Sequence, residues 1–391
     1  MENFFHKILN KLYLRPALSV FFIALFARML TVISVHLFSD GTLFNDDATY
    51  LDIIKTHENE PEKLSPATKF NWDQTKGFFL PIAFLFKIFG QINFLAQIIP
   101  VLAGSITAMA VTLILLKYTR STTALSAGIL AAIYPSQVLW SSLVLRDSLV
   151  WMTLALILLT LRRWDESKDR TNFLRYGIVL SILIIYLSSV RSHTMLVACI
   201  ALLIAVIWKS KTFASAKILL LVTLFVFVPF IANIGLAGQE LFQFVTEGMS
   251  DFRQKNATGN LAIVDPFSDQ RFADLFYLPI GLRVMLLDPL PHQLQLNYEL
   301  ILAFCENLLW YPILIFSGYG VFKMRKKMGL ETIFLIFCNI GLITMWSIFE
   351  GNFGTAFRHR SEFIWSTIIF AAIGFEYWSH KRSEQKETVS N

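Results

Sequence analysis

The feature that most constrains this chain is a succession of apolar runs, each about 20 residues long, separated by short polar segments. A run of that length is what an α-helix needs to cross a hydrocarbon core. With no water there to satisfy backbone N–H and C=O groups, such runs must be helical. They fall at residues 17–38, 92–116, 122–139, 143–161, 176–190, 195–208, 218–236, 300–322, 333–349 and 363–378. The expected fold is therefore all-α: one polytopic helical membrane domain over residues 1–391 with about ten transmembrane helices. The third run is interrupted at Tyr134-Pro135, where a proline breaks the helical pattern.

Composition supports this reading and excludes others. The chain is 55% hydrophobic, with a mean hydropathy of +0.56, well above a soluble domain. A net charge of +6 would suit nucleic acid on a soluble protein. Here about 20 of the 34 Lys and Arg fall in short segments on one side of the spans, so the charge reads as topology and no nucleic-acid partner is expected. Both termini are then cytoplasmic. Cys199, Cys305 and Cys338 all lie in apolar runs and form neither a disulfide framework nor a zinc spacing. The first run is long for a cleaved signal and is expected to remain as a span.

Three outer loops follow from this topology: residues 39–90, 237–297 and 350–362. The first carries juxtamembrane helices, one of them an apolar stretch at 78–89 too short to cross and ending at Gly90. In the second, Pro266, Pro279, Pro289 and Pro291 are expected to break any long helix.

An ionisable side chain in or beside a span needs a partner, a wet cavity or a task. Such groups gather at the outer ends. Asp46-Asp47 opens the first loop, just before Tyr50; by itself the pair reads most simply as a helix cap. Arg146-Asp147 begins the fourth span, as a self-neutralising pair or a functional one. Arg191 and His193 lie at the turn between the fifth and sixth runs, where a basic group can also snorkel to headgroups. Arg358, His359 and Arg360 follow Gly351 and Gly354 in the third loop; two arginines two positions apart read as a fork for a phosphate, the glycines letting backbone approach a ligand, or as a contact to anionic lipid headgroups. Arg28 lies mid-span, so it faces the bundle interior and needs a buried partner. No phosphate-cradling glycine loop and no His-Glu-x-x-His zinc helix is present.

The order of these pieces resembles the GT-C glycosyltransferases, in particular the protein mannosyltransferase and aminoarabinose transferase branch. The residues that carry the resemblance are Asp46-Asp47-Ala48-Thr49-Tyr50, Lys76-Gly77-Phe78-Phe79-Leu80-Pro81, Ala132-Ile133-Tyr134-Pro135-Ser136 and Leu145-Arg146-Asp147-Ser148-Leu149. It is clearest over about the first 165 residues, and the basic stretch before the last span echoes it. The family's usual pair is Asp-Glu; here it is Asp-Asp, with Asp46 in the leading position.

That resemblance implies an inverting glycosyltransferase moving a hexosyl or pentosyl group from a polyprenyl-phosphate sugar. The acceptor is a lipid-linked glycan or another cell-envelope molecule, at the outer face of a bacterial inner membrane. It implies Asp46, with Asp47 second, as the catalytic base. Arg358 and Arg360 bind the donor phosphate, with Arg146 and Arg191 behind them. Asp147, Tyr50, His193 and His359 support the site. Tyr277, Arg283 and Asp288 of the second loop are candidates for acceptor contacts. A divalent metal is compatible but not required by these residues. The rival readings are a polysaccharide polymerase or ligase, and a lipid-linked sugar transporter or flippase. A transporter would place its ionisable groups at mid-membrane.

Overall fold

The structure is a computed structural model that describes residues 16–59, 62, 65–209, 273–293 and 298–390. Between these it describes 253, 254, 257, 261–263, 265 and 266. The seventh run, 218–236, lies outside the described residues. The described residues are helical nearly throughout: α1 (Pro16–Ser39), α2 (Asn45–Asn59), α3 (Pro66–Gln74), α4 (Lys76–Phe89), α5 (Asn93–Leu115), α6 (Ser121–Ile133) and α7 (Pro135–Ser141). There follow α8 (Asp147–Glu166), α9 (Arg170–Val190), α10 (Ser192–Lys209), α11 (Ala273–Leu286), α12 (Tyr298–Met324), α13 (Leu330–Phe349) and α14 (Phe353–Ser390). Among the described residues the one β-type pairing is an isolated antiparallel bridge between Ala262 and Asn352.

Six of the described helices are long and apolar enough to cross a membrane: α1, α5, α9, α10, α12 and α13. The bent pair α6–α7, turned by 52° at its break, adds a seventh. This is an integral membrane protein. The remaining two expected spans are α8 and α14, which carry several charges each. Asp147 at the start of α8 and Arg358, Arg360, Glu362 and Glu376 of α14 are buried where other helices shield them. α8 packs between α5 and α9, and α14 lies along α12, while α1 and α9 present Phe26, Leu30, Ile178 and Ile182 outward. Shielded helices tolerate ionisable groups that a lipid-facing one does not. α12 and α14 meet backbone to backbone: a Cβ on Gly320 would come within 2.1 Å of the Phe370 carbonyl oxygen, and one on Gly374 equally close to that of Phe316.

Two irregularities shape the end of the bundle that holds the ionisable groups. After α1 the chain reverses through Asp40 and Gly41, at φ 52° and 95°, a left-handed pair that glycine makes inexpensive. Gln97 on α5 fixes that turn by donating to the Gly41 carbonyl at 3.2 Å, and shares a 2.7 Å hydrogen bond with His36. The second irregularity is the α6–α7 break. Tyr134 precedes a proline and is extended, so the last carbonyls of α6 lose their helical donors. Arg28 supplies them. Its guanidinium donates to the Ala132 and Ala24 carbonyls at 2.9 and 3.1 Å and to Ser141 Oγ at 2.7 Å. The expected buried partner of Arg28 is thus a set of freed backbone and hydroxyl oxygens at the kink.

Two expectations are corrected here. Residues 350–362 are not a loop, because α14 starts at Phe353. Pro279 lies inside α11 instead of ending it. Much of the 237–297 segment falls outside the described residues, but α11 and a short turn at Pro291–Gln293 belong to it.

Candidate active site

The site assembles where α2 and α8 begin, where α9 passes into α10, and where α14 begins. Asp147 is the first residue of α8, a favoured place for a negative charge beside unpaired helix N–H groups. Arg191 is the single extended residue between α9 and α10, so its side chain is aimed by both helices. Arg358 stands one turn into α14.

These residues form one chain of alternating charge. Asp46 Oδ2 accepts from Arg358 Nη1 at 2.5 Å. Arg358 turns Nε and Nη2 to Asp147 Oδ2 at 3.0 and 2.7 Å. Asp147 Oδ1 accepts from Arg191 Nη2 at 3.0 Å, and Arg191 Nη1 pairs with Glu362. Glu362 also accepts from Trp346 Nε1 at 3.2 Å and Thr194 Oγ1 at 3.3 Å. Buried charges demand this pairing, since an isolated one would cost several kcal/mol, roughly. Asp147, Arg191 and Glu362 are fully or almost fully buried; the Asp46 side chain is 61% exposed.

The exposed end opens into a cavity of about 540 Å³. Asp46 and Arg358 share its wall with Phe44, Leu139, Trp140, Leu145, Leu300 and Phe357. An ionic end among apolar walls is a place for an amphiphile with an anionic head.

The neighbours arrange themselves around this chain. Arg146 Nη1 donates to the Val190 carbonyl at 3.1 Å and to Thr75 Oγ1 at 3.2 Å, joining α8 to the end of α9 and the α3–α4 junction. His359 lies flat on Trp346, with ring centroids 3.6 Å apart, and pairs with Glu350. His193 meets Trp346 edge-on. Tyr50 packs against Phe78 and Phe79, within electrostatic reach of Arg191 and Arg358.

Of the two leading carboxylates and two leading arginines, Asp47 and Arg360 do not line the cavity. Asp47 is fully buried and accepts from the backbone N–H of Phe44 at 2.8 Å and of Leu43 at 3.0 Å. It is the third residue of α2 and reaches back over the helix start, as in a capping box. Burial pushes its carboxyl above the ordinary range and these N–H donors pull it partly back. The adjacent pair splits because neighbours on a helix point about 100° apart. Arg360 is likewise no fork with Arg358: on a helix the two point about 200° apart. Arg360 is buried, donating to Asn307 Oδ1 at 2.6 Å and to the Val284 and Asp288 carbonyls. Arg191 does not snorkel; it is the buried centre of the charge chain.

The second-loop candidates are engaged too. The Tyr277 hydroxyl donates to the Glu350 carbonyl at 2.9 Å, and Arg283 pairs with Asp288 at 3.3 Å. Glu362, Glu350 and Trp346 went unrecognised in the sequence. Glu362 is detectable by the rule that singled out Arg28: a charge at the edge of a span needs a partner. So is Glu306 on α12, buried and accepting from Ser136 N at 2.7 Å and Ser136 Oγ at 3.0 Å.

A divalent metal does not fit this donor set. Asp46 and Asp147 both turn an oxygen to Arg358, so a guanidinium takes the place between them that a shared cation would need. Among the described residues no group of three or more His, Cys, Asp or Glu is placed to hold one.

Comparison with known proteins agrees with this architecture. Residues 73–234 match the family model of dolichyl-phosphate-mannose-protein mannosyltransferases. No curated protein matches the sequence significantly. Among solved structures, the Archaeoglobus fulgidus oligosaccharyltransferase tethered with an acceptor peptide is similar over 92% of this chain, with a TM-score of 0.54 and 16% identity. The same organism's oligosaccharyltransferase AglB, in complex with an inhibitory peptide and a dolichol-phosphate, is similar over 95%, with a TM-score of 0.52 and 16% identity. This chain spans about half of each, 49% and 52% of their lengths. Over nearly its whole length the chain shares the fold of these oligosaccharyltransferases, and along residues 73–234 its sequence resembles the dolichyl-phosphate-mannose-protein mannosyltransferase family.

Proposed function

We propose that this protein transfers a sugar from a polyprenyl-phosphate donor to a lipid-linked glycan or other cell-envelope acceptor, at the outer face of the membrane. The observation that carries the reading is the cavity whose apolar walls end on Asp46 and Arg358. A polyprenyl tail suits the walls, and its phosphate suits the one cavity-lining arginine among the described residues. The dolichol-phosphate held by the archaeal enzyme of the same fold supports a donor of that chemistry. Sidedness rests on the Lys and Arg pattern: Lys117, Arg120 and Arg162 lie at the bundle end opposite the site.

In this reading the acceptor hydroxyl oxygen attacks the anomeric carbon as the carbon–oxygen bond to phosphate breaks. The bonding pair leaves with the phosphate, whose growing charge Arg358 stabilises. Asp46 accepts the hydroxyl proton. A single displacement inverts the anomeric centre. Asp147 and Arg191 touch no substrate; they hold Arg358 in place. A transporter would need titratable groups along a path through mid-membrane. The mid-bundle Arg28 is instead fixed on carbonyls at a helix kink, which favours the enzyme reading.

The test is glycan transfer by purified protein given candidate polyprenyl-phosphate sugars and lipid-linked acceptors. Wild type should transfer, Asp46→Asn should lose at least about 100-fold, as general-base catalysis contributes, and Asp47→Asn should keep most activity. Full transfer by Asp46→Asn would overturn the base assignment. Movement of the lipid without transfer would favour transport.

A further inference from the structure

In the charge chain, three carboxylates (Asp46, Asp147 and Glu362) face two guanidiniums (Arg358 and Arg191). Its inner members cannot leave. Asp147 is gripped from both sides, and Glu362 is held by Arg191, Trp346 and Thr194. Arg358 is anchored by two of its nitrogens on Asp147 and offers the third, Nη1, to the cavity side. That third nitrogen is taken by Asp46, the one largely exposed member of the chain.

An arriving phosphate therefore meets an arginine already satisfied, and a carboxylate beside it that repels it. Nη1 is the Arg358 nitrogen that Asp147 does not hold, and Asp46 occupies it, so a phosphate that takes this nitrogen displaces Asp46. Asp46 is the carboxylate whose withdrawal exposes nothing buried and leaves no inner charge unpaired. Solvent hydrates it when it lets go.

We propose that the Asp46–Arg358 ion pair is a latch that the donor phosphate opens. The phosphate takes Arg358 Nη1, and Asp46, released from the guanidinium, becomes free to receive the acceptor's proton. Binding is then ordered, donor before acceptor, because the base stays tied to Arg358 until the donor is in place. This rests on reading the cavity as the donor site. It adds that Asp46 opposes donor binding in the resting protein, while Asp147 and Arg191 hold Arg358 fixed through the exchange.

The consequence is a gain of affinity on removing a site carboxylate. The experiment measures binding of a polyprenyl monophosphate, and of the corresponding polyprenyl alcohol, to the full chain in nanodiscs. Asp46→Asn and Asp46→Ala should each bind the monophosphate about fivefold more tightly than wild type, from a lost half-exposed ion pair and lost like-charge repulsion. Neither should change affinity for the alcohol. Arg358→Gln should weaken monophosphate binding about tenfold or more. Two Asp46 variants are used so that the gain reports the missing carboxylate and not the new side chain. If both bind the monophosphate no better than wild type while Arg358→Gln binds worse, the latch is wrong and the donor site stands. If Arg358→Gln binds as wild type does, and monophosphate binds no better than alcohol, the donor-site reading falls and takes the latch with it.

Discussion

Asp147→Asn tests the charge chain at its centre. The Asp147 side chain has no solvent exposure and accepts three charge-assisted hydrogen bonds, from Arg358 Nε and Nη2 at 3.0 and 2.7 Å and from Arg191 Nη2 at 3.0 Å. An asparagine offers one acceptor oxygen and turns an NH2 group toward a guanidinium that has only donors. Two buried arginines then face each other across a neutral group. Breaking a buried pair on one side costs about 3–5 kcal/mol. At roughly 2 °C per kcal/mol for a chain this large, the thermal midpoint should fall on the order of 5–10 °C. The assay is tryptophan fluorescence of purified protein in one detergent at one fixed scan rate, because unfolding of such proteins is commonly irreversible. The double variant Asp147→Asn with Arg191→Gln removes one cation along with the anion. It should fall by less than the sum of the singles, with a coupling of about 1–3 kcal/mol. A midpoint within about 1 °C of wild type for Asp147→Asn, or losses that simply add, would refute the idea that this chain of charges joins α8, α10 and α14.

Three further outcomes are expected. Arg360→Met should lower stability by about 3 kcal/mol, from the orphaned Asn307 and carbonyl acceptors, and leave polyprenyl monophosphate affinity in the folded fraction unchanged. A loss of affinity would restore Arg360 to the phosphate side. Gly104→Ala places a Cβ 2.5 Å from Arg28 Nε and 2.7 Å from Ser141 Oγ, so it should cost about 1–3 kcal/mol by displacing the arginine from the helix kink. An Arg28→Met background should absorb part of that loss. Asp47 has a folded carboxyl pKa above its unfolded value, so its contribution is fullest below the unfolded pKa and is lost as pH rises through the folded one. Wild-type stability relative to Asp47→Asn should therefore decline as pH climbs from about 4, and a difference that stays flat with pH would count against the buried cap.

The fold class and most of the helices were legible in the sequence because a bilayer leaves few options. An apolar run of spanning length must satisfy its own backbone, and the proline after Tyr134 must break it. The third run does break there, and the short apolar helix does end at Gly90, whose φ of 86° suits glycine. Asp46, Asp147, Arg191 and Arg358 were also legible, since charges at span ends stand out against the apolar runs. Their roles were not. Whether Asp46 or Asp47 faces the cavity depends on where α2 starts, and the start at Asn45 commits Asp47 to the backbone. The expected Arg358–Arg360 fork assumed an extended loop, whereas α14 begins at Phe353 and sends the two side chains to different partners.

What the sequence by itself determined is therefore the one-dimensional part: most of the helices, the break at Tyr134-Pro135, and at which end the charges collect. Periodicity and the cost of unpaired groups in lipid are local, and local rules suffice for them. Only the tertiary structure decided which charge meets which. Arg358 lies 312 residues from Asp46 and 211 from Asp147. Pairing across such separations is set by how whole helices pack, through contacts like those of α12 with α14 and α1 with α5. The same packing buries Asp147, Arg191 and Glu362 and leaves Asp46 open to the cavity.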